Sequence, residues 1–301
     1  MKKIILAGGA GLVGQSLLKV LDYRKYQIIV IDKDKALITR LKPIFPHVKF
    51  ITMDLSNREV LEKFDISCDY IVTMQAQIKG IDYDAFKKNA VICTQNLLRS
   101  LKNLKKKPYL IHISSSVINS KADDFYTRSK RDQEKLIQNW TGKKVILRPT
   151  LMYGEGDNKH FYVLLNLMRK FHFFPLPGNG IYIRQPLFAM DFAKVIDDCI
   201  KNSRGGVFNI SGLELISFKD CLIKLKKHYK YFAIFIPIPI VLFRWLLRFA
   251  ALITKKTPFT EQQLDALIIP ETFEMIDWPK TFKTTYTKFE DGIKAFEYKF
   301  K

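Results

Sequence analysis

Two tyrosine–lysine pairs in this sequence have a spacing that could support proton transfer. Tyr126 precedes Lys130 by four residues, and Tyr83 precedes Lys87 by the same interval. Residues four apart share one face of a helix, so a phenol and an ammonium could act together. With 13 tyrosines in a lysine-rich chain, about one such pair is expected by chance. The surrounding sequence must therefore decide between them.

The surroundings favour Tyr126 and Lys130. The pair follows a predicted strand, Tyr109–Ser114, that runs into a row of serines, and Tyr126 opens a predicted helix. The other pair precedes a long helix and has no serine-bearing strand beside it. A free phenol has a pKa near 10, so neighbouring positive charge would have to lower it before the group could act as a base at neutral pH.

A glycine-rich turn at the amino terminus predicts a dinucleotide site. Gly8, Gly11 and Gly14 come directly after the first predicted strand and open a helix. In that context the first glycine permits a tight turn, the second lets the backbone approach a pyrophosphate, and the third lets helix and strand pack closely. Phosphates would then bind the N–H groups at the helix start.

Two carboxylates after later strands indicate which dinucleotide binds. Asp32 ends the second predicted strand, where it can accept hydrogen bonds from both ribose hydroxyls and would repel a 2′-phosphate. Asp54, after the third strand, could contact the adenine. NAD is therefore the predicted cofactor, and NADP remains possible because Lys33 could tolerate the phosphate.

Uninterrupted apolar strands alternate with amphipathic helices, such as Gln15–Leu21, through the first half of the chain. The six predicted strands are Lys3–Ala7, Gln27–Ile31, Val48–Ile51, Tyr70–Met74, Tyr109–Ser114 and Lys144–Leu147. This pattern predicts an α/β fold with a Rossmann-type, doubly wound parallel sheet covered on both faces. The pattern loosens afterwards, which indicates a dinucleotide-binding domain over residues 1–155 and a smaller substrate domain over 156–301, possibly interleaved with the first. Loops are predicted where turn-forming residues cluster, at Pro175, Pro177, Gly178 and Gly180.

The segment 231–254 carries only two charges, Arg244 and Arg248. Proline interrupts its first part, and the helix predicted for 240–254 is too short to cross about 30 Å of hydrocarbon. The segment could pack on the second domain, pack in a homodimer or lie on a membrane surface.

Composition limits the compartment and the partners. Four cysteines without a paired spacing indicate reduced thiols in a cytoplasmic protein, possibly peripheral at a membrane, and the histidines show no metal-ligand spacing. The net charge of +21 would suit an anionic partner. The basic clusters are nevertheless short and dispersed, and they match no nucleic-acid-binding motif.

Taken together, the motifs resemble the extended short-chain dehydrogenase/reductase group, the NAD-dependent epimerase/dehydratase family. The segments that carry the resemblance are "GGAGLVG", Asp32, "ISSS", "YTRSK", "LRPTLMYGEGD" and "IRQPLFAMDFAKVI". The resemblance implies that Ser115, with Ser116 as the alternative, bonds a substrate oxygen. It also implies that Tyr126 exchanges a proton, that Lys130 holds the nicotinamide ribose and that Arg184 binds a nucleotide diphosphate.

Several positions depart from the family pattern. Only 11 residues separate Ser115 from Tyr126, where the family has a longer gap. The helix asparagine expected four residues before Thr94 is Ala90, and Asn89 stands one place early. Ser116 and Val117 occupy the place of the Asp-Glu pair of the 4,6-dehydratases, which disfavours dehydration.

Two functions are therefore compatible with the sequence. The first is an NAD(P)-dependent epimerase or 4-keto reductase acting on a nucleotide-linked sugar. The alternative is a non-catalytic NAD(P)-binding protein, structural or redox-sensing, at a membrane surface.

Overall fold

The computed structural model describes residues 1–78, 80, 82–157, 161–253, 260–269 and 272–298. Within this part of the chain, short apolar runs form strands and longer amphipathic runs form helices. The strands are β1 (Lys2–Ala7), β2 (Tyr26–Asp32), β3 (Lys49–Thr52), β4 (Tyr70–Thr73), β5 (Tyr109–Ile113), β6 (Lys144–Pro149), β7 (Met152–Tyr153), β8 (Phe173–Pro177), β9 (Ile183–Arg184), β10 (Leu187–Phe188), β11 (Gly206–Ile210), β12 (Ile216–Ser217) and β13 (Ile234–Ile238).

Helices connect most of these strands. They are α1 (Leu12–Leu18), α2 (Lys35–Leu41), α3 (Arg58–Glu62), α4 (Tyr83–Phe86), α5 (Cys93–Lys102), α6 (Phe125–Gln138), α7 (Phe161–Lys170), α8 (Ala189–Asn202), α9 (Phe218–His228), α10 (Ile240–Ile253), α11 (Glu261–Ile268), α12 (Trp278–Thr281) and α13 (Phe289–Lys294). A π-helical stretch, Lys87–Ile92, joins α4 to α5.

Seven strands form one parallel sheet in the order β11-β6-β5-β4-β1-β2-β3. The order reverses between β1 and β4, as in a doubly wound nucleotide-binding sheet, so a crevice forms beyond the carboxyl ends of these strands. The predicted Rossmann-type α/β fold is confirmed.

Alternate residues of the strands supply two separate cores. On β1, Ile4 and Leu6 face a cluster that includes helices α1 and α8, whereas Ile5 and Ala7 face a cluster with α5 and α6. All four side chains are fully buried, which explains why the strands are apolar at every position.

Parts of the second half of the chain contact the first half. Strand β11 pairs with β6 at the edge of the main sheet. Trp278 and Phe282 from the carboxyl-terminal part pack into the same core as β1. A third core, built around Tyr153, Phe161 and Phe289, draws most of its residues from the second half. The boundary at residue 155 itself remains a prediction.

The prediction of a loop at Pro175 and Pro177 is wrong. Both prolines lie in β8, which pairs in parallel with β13 in a separate two-stranded sheet. Proline is tolerated there because each strand of a two-stranded sheet has a free edge that needs no N–H donor. Gly178 and Gly180 flank a turn just after β8, and both have positive φ.

The apolar segment after β13 folds as α10, a 14-residue helix of about 21 Å. No helix in the described residues is long and apolar enough to cross a membrane. Residue 254, the last of the predicted helix, lies outside the described residues.

Candidate functional site

A cleft of about 620 Å³ opens beyond the carboxyl ends of the central strands. Its walls include loop residues that follow strands β1 to β6. Every candidate site residue named from the sequence lines this one cleft: Gly8, Gly11, Gly14, Asp32, Asp54, Ser115, Ser116, Tyr126, Lys130 and Arg184. The fold therefore brings together residues that are up to 176 positions apart in the chain; their roles remain predictions.

The glycine turn has the geometry that a bound pyrophosphate needs. Gly8 has φ +74°, in the left-handed region that favours glycine. A Cβ on Gly14 would lie 1.9 Å from the Gly9 carbonyl oxygen, so only glycine lets α1 pack this closely on the turn. At Gly11 a Cβ would meet nothing within 4 Å, which leaves open space where a ligand could approach the backbone.

Asp32 is fixed at the end of β2. Its Oδ2 accepts a hydrogen bond from the Ala10 amide at 3.1 Å and its Oδ1 accepts one from the Asp34 amide at 3.1 Å. Lys33, which could have accommodated a 2′-phosphate, donates instead to Asn89 Oδ1 at 2.6 Å. Both contacts fit NAD better than NADP.

Asp54 lies further along the same side of the cleft, after β3. Burial alone would raise its pKa, but hydrogen bonds from Ser56 outweigh that effect and the pKa is lowered. The side chain is therefore an anion at neutral pH, as adenine contact through an acceptor would require.

Consecutive serines after β5 have different partners. Ser114 Oγ donates to Glu134 Oε2 at 2.5 Å. Ser115 lies beside the phenol of Tyr126, close enough to influence its pKa. The structure thus places Ser115, rather than Ser116, next to the tyrosine. The 11-residue separation suffices because a single 3₁₀ turn, Ser116–Asn119, and a short loop span it.

Tyr126 lies in the first turn of α6 because Asp124 caps that helix. The Asp124 carboxylate accepts from the Thr127 amide at 2.8 Å, which starts α6 at Phe125, one residue before Tyr126. Burial raises the pKa of Tyr126, and the hydrogen bond with Ser115 opposes that rise only in part. The surrounding side chains alone therefore do not produce the lowered pKa of Tyr126 that was expected from the sequence.

Lys130 is one turn further along α6 and almost fully buried. Its ammonium donates to Ile113 O at 3.0 Å and to Gln133 Oε1 at 2.9 Å. Burial lowers the pKa of Lys130 to about 7, although the Glu134 carboxylate acts in the opposite direction. The lysine can therefore bind or release a proton near neutral pH.

This shift predicts a pH-dependent stability. Between pH 7 and 10.5 the folded chain holds Lys130 neutral while the unfolded chain still protonates it, so stability rises with pH through this window. Relative to Lys130→Met, the unfolding free energy of the wild type should rise by about 3 kcal/mol between pH 7 and pH 9.5.

Urea unfolding of both proteins at the two pH values measures the difference. Lys87→Met, at an exposed lysine of the other Tyr–Lys pair, should keep the wild-type pH slope. An unchanged slope in Lys130→Met would show that the buried amine does not titrate in this range.

Sequence reasoning missed a buried polar network beneath the cleft. Gln133 Nε2 donates to Thr94 Oγ1 at 2.9 Å, and Gln75 Nε2 donates to the same oxygen at 3.0 Å. His112 Nδ1 is 2.8 Å from Thr73 Oγ1. Burial, then the charge of Lys130, lowers the pKa of His112 well below its usual value. The sequence feature that could have indicated this network is Gln133, which follows Lys130 by three residues on the same helical face.

The displaced asparagine also has a structural explanation. The π-helical stretch Lys87–Ile92 adds one residue to a helical turn. Positions five apart, such as Asn89 and Thr94, then take the relative placement that positions four apart have in an α-helix. Asn89 accordingly lines the cleft and donates to Gln77 Oε1 at 3.0 Å.

Arg184 connects the opposite wall of the cleft to α11. Its guanidinium donates to Ile183 O at 2.6 Å and to Leu267 O. Helix α11 and its flanks, which sequence reasoning had not linked to the site, supply wall residues including Gln262, Gln263 and Ala266. The sequence feature that could have indicated the start of this helix is "TEQQ", in which Thr260 and Gln263 form a capping box.

The second Tyr–Lys pair lies outside the cleft. The Tyr83 hydroxyl donates to Asp132 Oδ2 at 2.8 Å, and Lys87 is exposed. Burial and then this contact raise the pKa of Tyr83 to about 12. The structure thus separates the two pairs as the sequence context predicted.

Comparison with known proteins identifies the family of this chain. The model of the "NAD dependent epimerase/dehydratase family" matches residues 4–211, more than half of the chain. The chain belongs to this family. Membership confirms the resemblance drawn from the motifs, and the family's dependence on NAD confirms the cofactor predicted from the glycine turn and Asp32.

Individual members of the family are distant in sequence. The dTDP-4-dehydrorhamnose reductase of Aggregatibacter actinomycetemcomitans is 22% identical over 251 residues, which cover 75% of this chain and 78% of that protein. The Bordetella bronchiseptica enzyme WbmG, solved with NAD, is 18% identical, covers 98% of this chain and 92% of its own, and has a TM-score of 0.73.

A second solved structure is UDP-glucuronic acid 4-epimerase from Bacillus cereus in complex with NAD. It is 24% identical, covers 79% of this chain and 88% of its own, and has a TM-score of 0.66. At these identities the two structures support the fold and leave the substrate open.

Proposed function

We propose that this protein is an NAD-dependent epimerase or 4-keto reductase of a nucleotide-linked sugar. The observation that carries the proposal is the placement of Ser115 beside Tyr126, in the same cleft as the glycine turn. The Tyr126 phenol, the proposed proton-exchanging group, thus lies in the same cleft as the predicted pyrophosphate site.

Ser115, Tyr126 and Lys130 would have different roles in the reaction. Ser115 and Tyr126 would bond the oxygen on the reacting sugar carbon, and the phenol would exchange the proton of that oxygen, a step worth about 10²–10⁴ in rate. NAD, when bound, supplies hydride acceptance and return at that carbon. Lys130, with its pKa near 7, would bind the nicotinamide ribose and favour the phenolate when protonated.

The cofactor would lie along the amino-terminal side of the cleft. Gly8, Gly11 and Gly14 would form the pyrophosphate turn, and Asp32 would accept from the adenosine ribose. We favour NAD over NADP, because Asp32 would repel a 2′-phosphate and Lys33 is engaged by Asn89.

The opposite wall suits the nucleotide diphosphate of the substrate. Arg184 lines this wall, and a guanidinium can bind phosphate oxygens in a bidentate manner. Ser116 is buried beside Ser115 and also lines the cleft, so it could contact the sugar. Relatives named as a UDP-glucuronic acid 4-epimerase and a dTDP-4-dehydrorhamnose reductase support a nucleotide sugar as the substrate class.

Elimination of water is less suited to this cleft than epimerisation or reduction. Ser116 and Val117 follow Ser115, and neither can ionise at neutral pH to act as the acid or base that dehydration requires. The non-catalytic alternative has less support, because a scaffold would not need Tyr126 to lie beside Ser115 inside the cleft.

A substrate panel tests the proposal. The protein is incubated with NAD and UDP-, dTDP- or GDP-sugars, and separately with NADH and 4-keto sugars. Anomeric proton resonances report epimerisation, and absorbance at the NADH band reports reduction. We expect at least one sugar to be converted. NAD binding without conversion of any sugar would favour the non-catalytic alternative.

A further inference from the structure

One face of α10 is apolar and exposed. Its side chains have 48–84% of their surface accessible: Val241, Leu242, Trp245, Leu246, Phe249, Leu252 and Ile253. Among the helix's side chains, that of Phe243 is buried. A monomeric protein seldom exposes so many large apolar side chains together, so this face is expected to have a partner.

The charged face of the same helix is already satisfied within the chain. Arg244 binds Glu261 at 3.0 Å and Asp265 at 2.8 Å, and Arg248 binds Glu261 at 2.7 Å. Helix α11 therefore pairs with both arginines, and the apolar side chains of α10 stay exposed to solvent.

The neighbouring sheet extends the exposed apolar surface. Phe173 of β8 is paired with Ile234 of β13, and both side chains are exposed, as is Ile236. Phe171 and Phe232 are exposed beside these strands. The chain passes directly from β13 to α10 through Pro239. We call this combined surface, on α10 and the β8–β13 sheet, the apolar platform.

The charges in the platform segments have one sign. The sequence contains no Asp or Glu between Asp157 and Asp191, or between Asp220 and Glu261. The segments nevertheless carry exposed cations next to the exposed aromatic residues, namely Arg169, Lys170, Lys227 and Lys230. Aromatic and aliphatic side chains bordered by lysine and arginine are the features of a surface that inserts into an anionic lipid interface.

We propose that the apolar platform docks the protein on an anionic lipid surface. A second copy of this chain is a poorer partner, because both copies would bring cations and no carboxylate from these segments to the shared interface. The proposal is independent of the reaction in the cleft. The platform is nevertheless connected to the cleft through α11, which binds α10 and forms a wall of the cleft.

Tryptophan fluorescence gives a site-specific measurement. The chain has three tryptophans; Trp140 and Trp278 are 5% and 0% exposed, whereas Trp245 is 63% exposed. Vesicles of phosphatidylcholine and phosphatidylglycerol should therefore shift the emission to the blue through Trp245. Trp245→Phe should bind the vesicles without this shift.

Co-sedimentation with vesicles measures binding itself. The reference is binding of the wild type to the anionic vesicles. We expect the wild type to bind vesicles of phosphatidylcholine alone at least 10-fold more weakly. We expect the double variant Trp245→Glu/Phe249→Glu to bind the anionic vesicles at least 10-fold more weakly. The matched control, Ile44→Glu/Val60→Glu, adds the same charge at exposed apolar residues remote from the platform and should bind within twofold of the wild type.

Three results would overturn the proposal. The wild type could remain in the supernatant with anionic vesicles, or the platform variant could bind as well as the control. Sedimentation velocity without lipid could instead reveal a dimer that the platform variant abolishes, which would identify a second copy as the partner.

Discussion

Tyr126→Phe is expected to lower turnover of the sugar nucleotide by about 10²–10⁴ while the affinity for NAD changes by less than about twofold. The substitution removes only the phenol hydroxyl beside Ser115. The ring stays in place, so the fold and the cofactor contacts should persist. What is lost is the proton exchange at the reacting oxygen, and this loss should appear in kcat rather than in KM.

Steady-state kinetics on the sugar identified by the panel, with NAD affinity from fluorescence titration, measures both quantities. The chain provides a matched control in Tyr83→Phe, which removes a hydroxyl bonded to Asp132 outside the cleft and should leave kcat within about twofold. Equal turnover in Tyr126→Phe and the wild type would remove the proposed mechanism while leaving the fold assignment intact.

Two glycine substitutions separate folding from cofactor binding. In Gly14→Ala the new Cβ would lie 1.9 Å from the Gly9 carbonyl oxygen, so α1 must shift off the turn. The unfolding free energy should fall by about 3 kcal/mol or more. In Gly11→Ala the new Cβ meets no atom within 4 Å, so stability should be nearly unchanged, whereas a pyrophosphate approaching this backbone would clash.

For Gly11→Ala we expect the Kd for NAD to rise by about 10- to 100-fold, which corresponds to a clash of about 1–3 kcal/mol. Urea unfolding and NAD titration of both variants provide the comparison. Wild-type affinity in a folded Gly11→Ala protein would place the pyrophosphate elsewhere, and wild-type stability of Gly14→Ala would contradict the packing argument.

The sheet could be predicted closely because its strands are buried on both faces. The six strands predicted in the first half, from Lys3–Ala7 to Lys144–Leu147, all appear with their ends within two residues. Helix starts were less accurate: α1 begins at Leu12 rather than at the predicted Gln15. Caps decide helix starts, and a backbone cap such as Gly11 leaves little trace in a hydrophobic pattern.

The second half was harder to predict because its strands are short and paired at edges. The prolines of β8 and β13 favour a loop in any local interpretation, and only the pairing of these two strands with each other makes them a sheet. Strand β11 joins the main sheet by a contact with β6 from about 60 residues earlier in the sequence.

The sequence by itself determined the chemistry available to this protein: a glycine turn for a dinucleotide, a carboxylate after β2 and a Tyr126–Lys130 pair near serines. These features are local, so their spacing carries the information. Only the tertiary structure decided that Ser115 contacts the phenol, that Lys130 is buried with a pKa near 7, and that α11 forms a wall of the cleft. Burial and long-range contact set these properties, because desolvation depends on everything packed around a group and not on its neighbours in the chain.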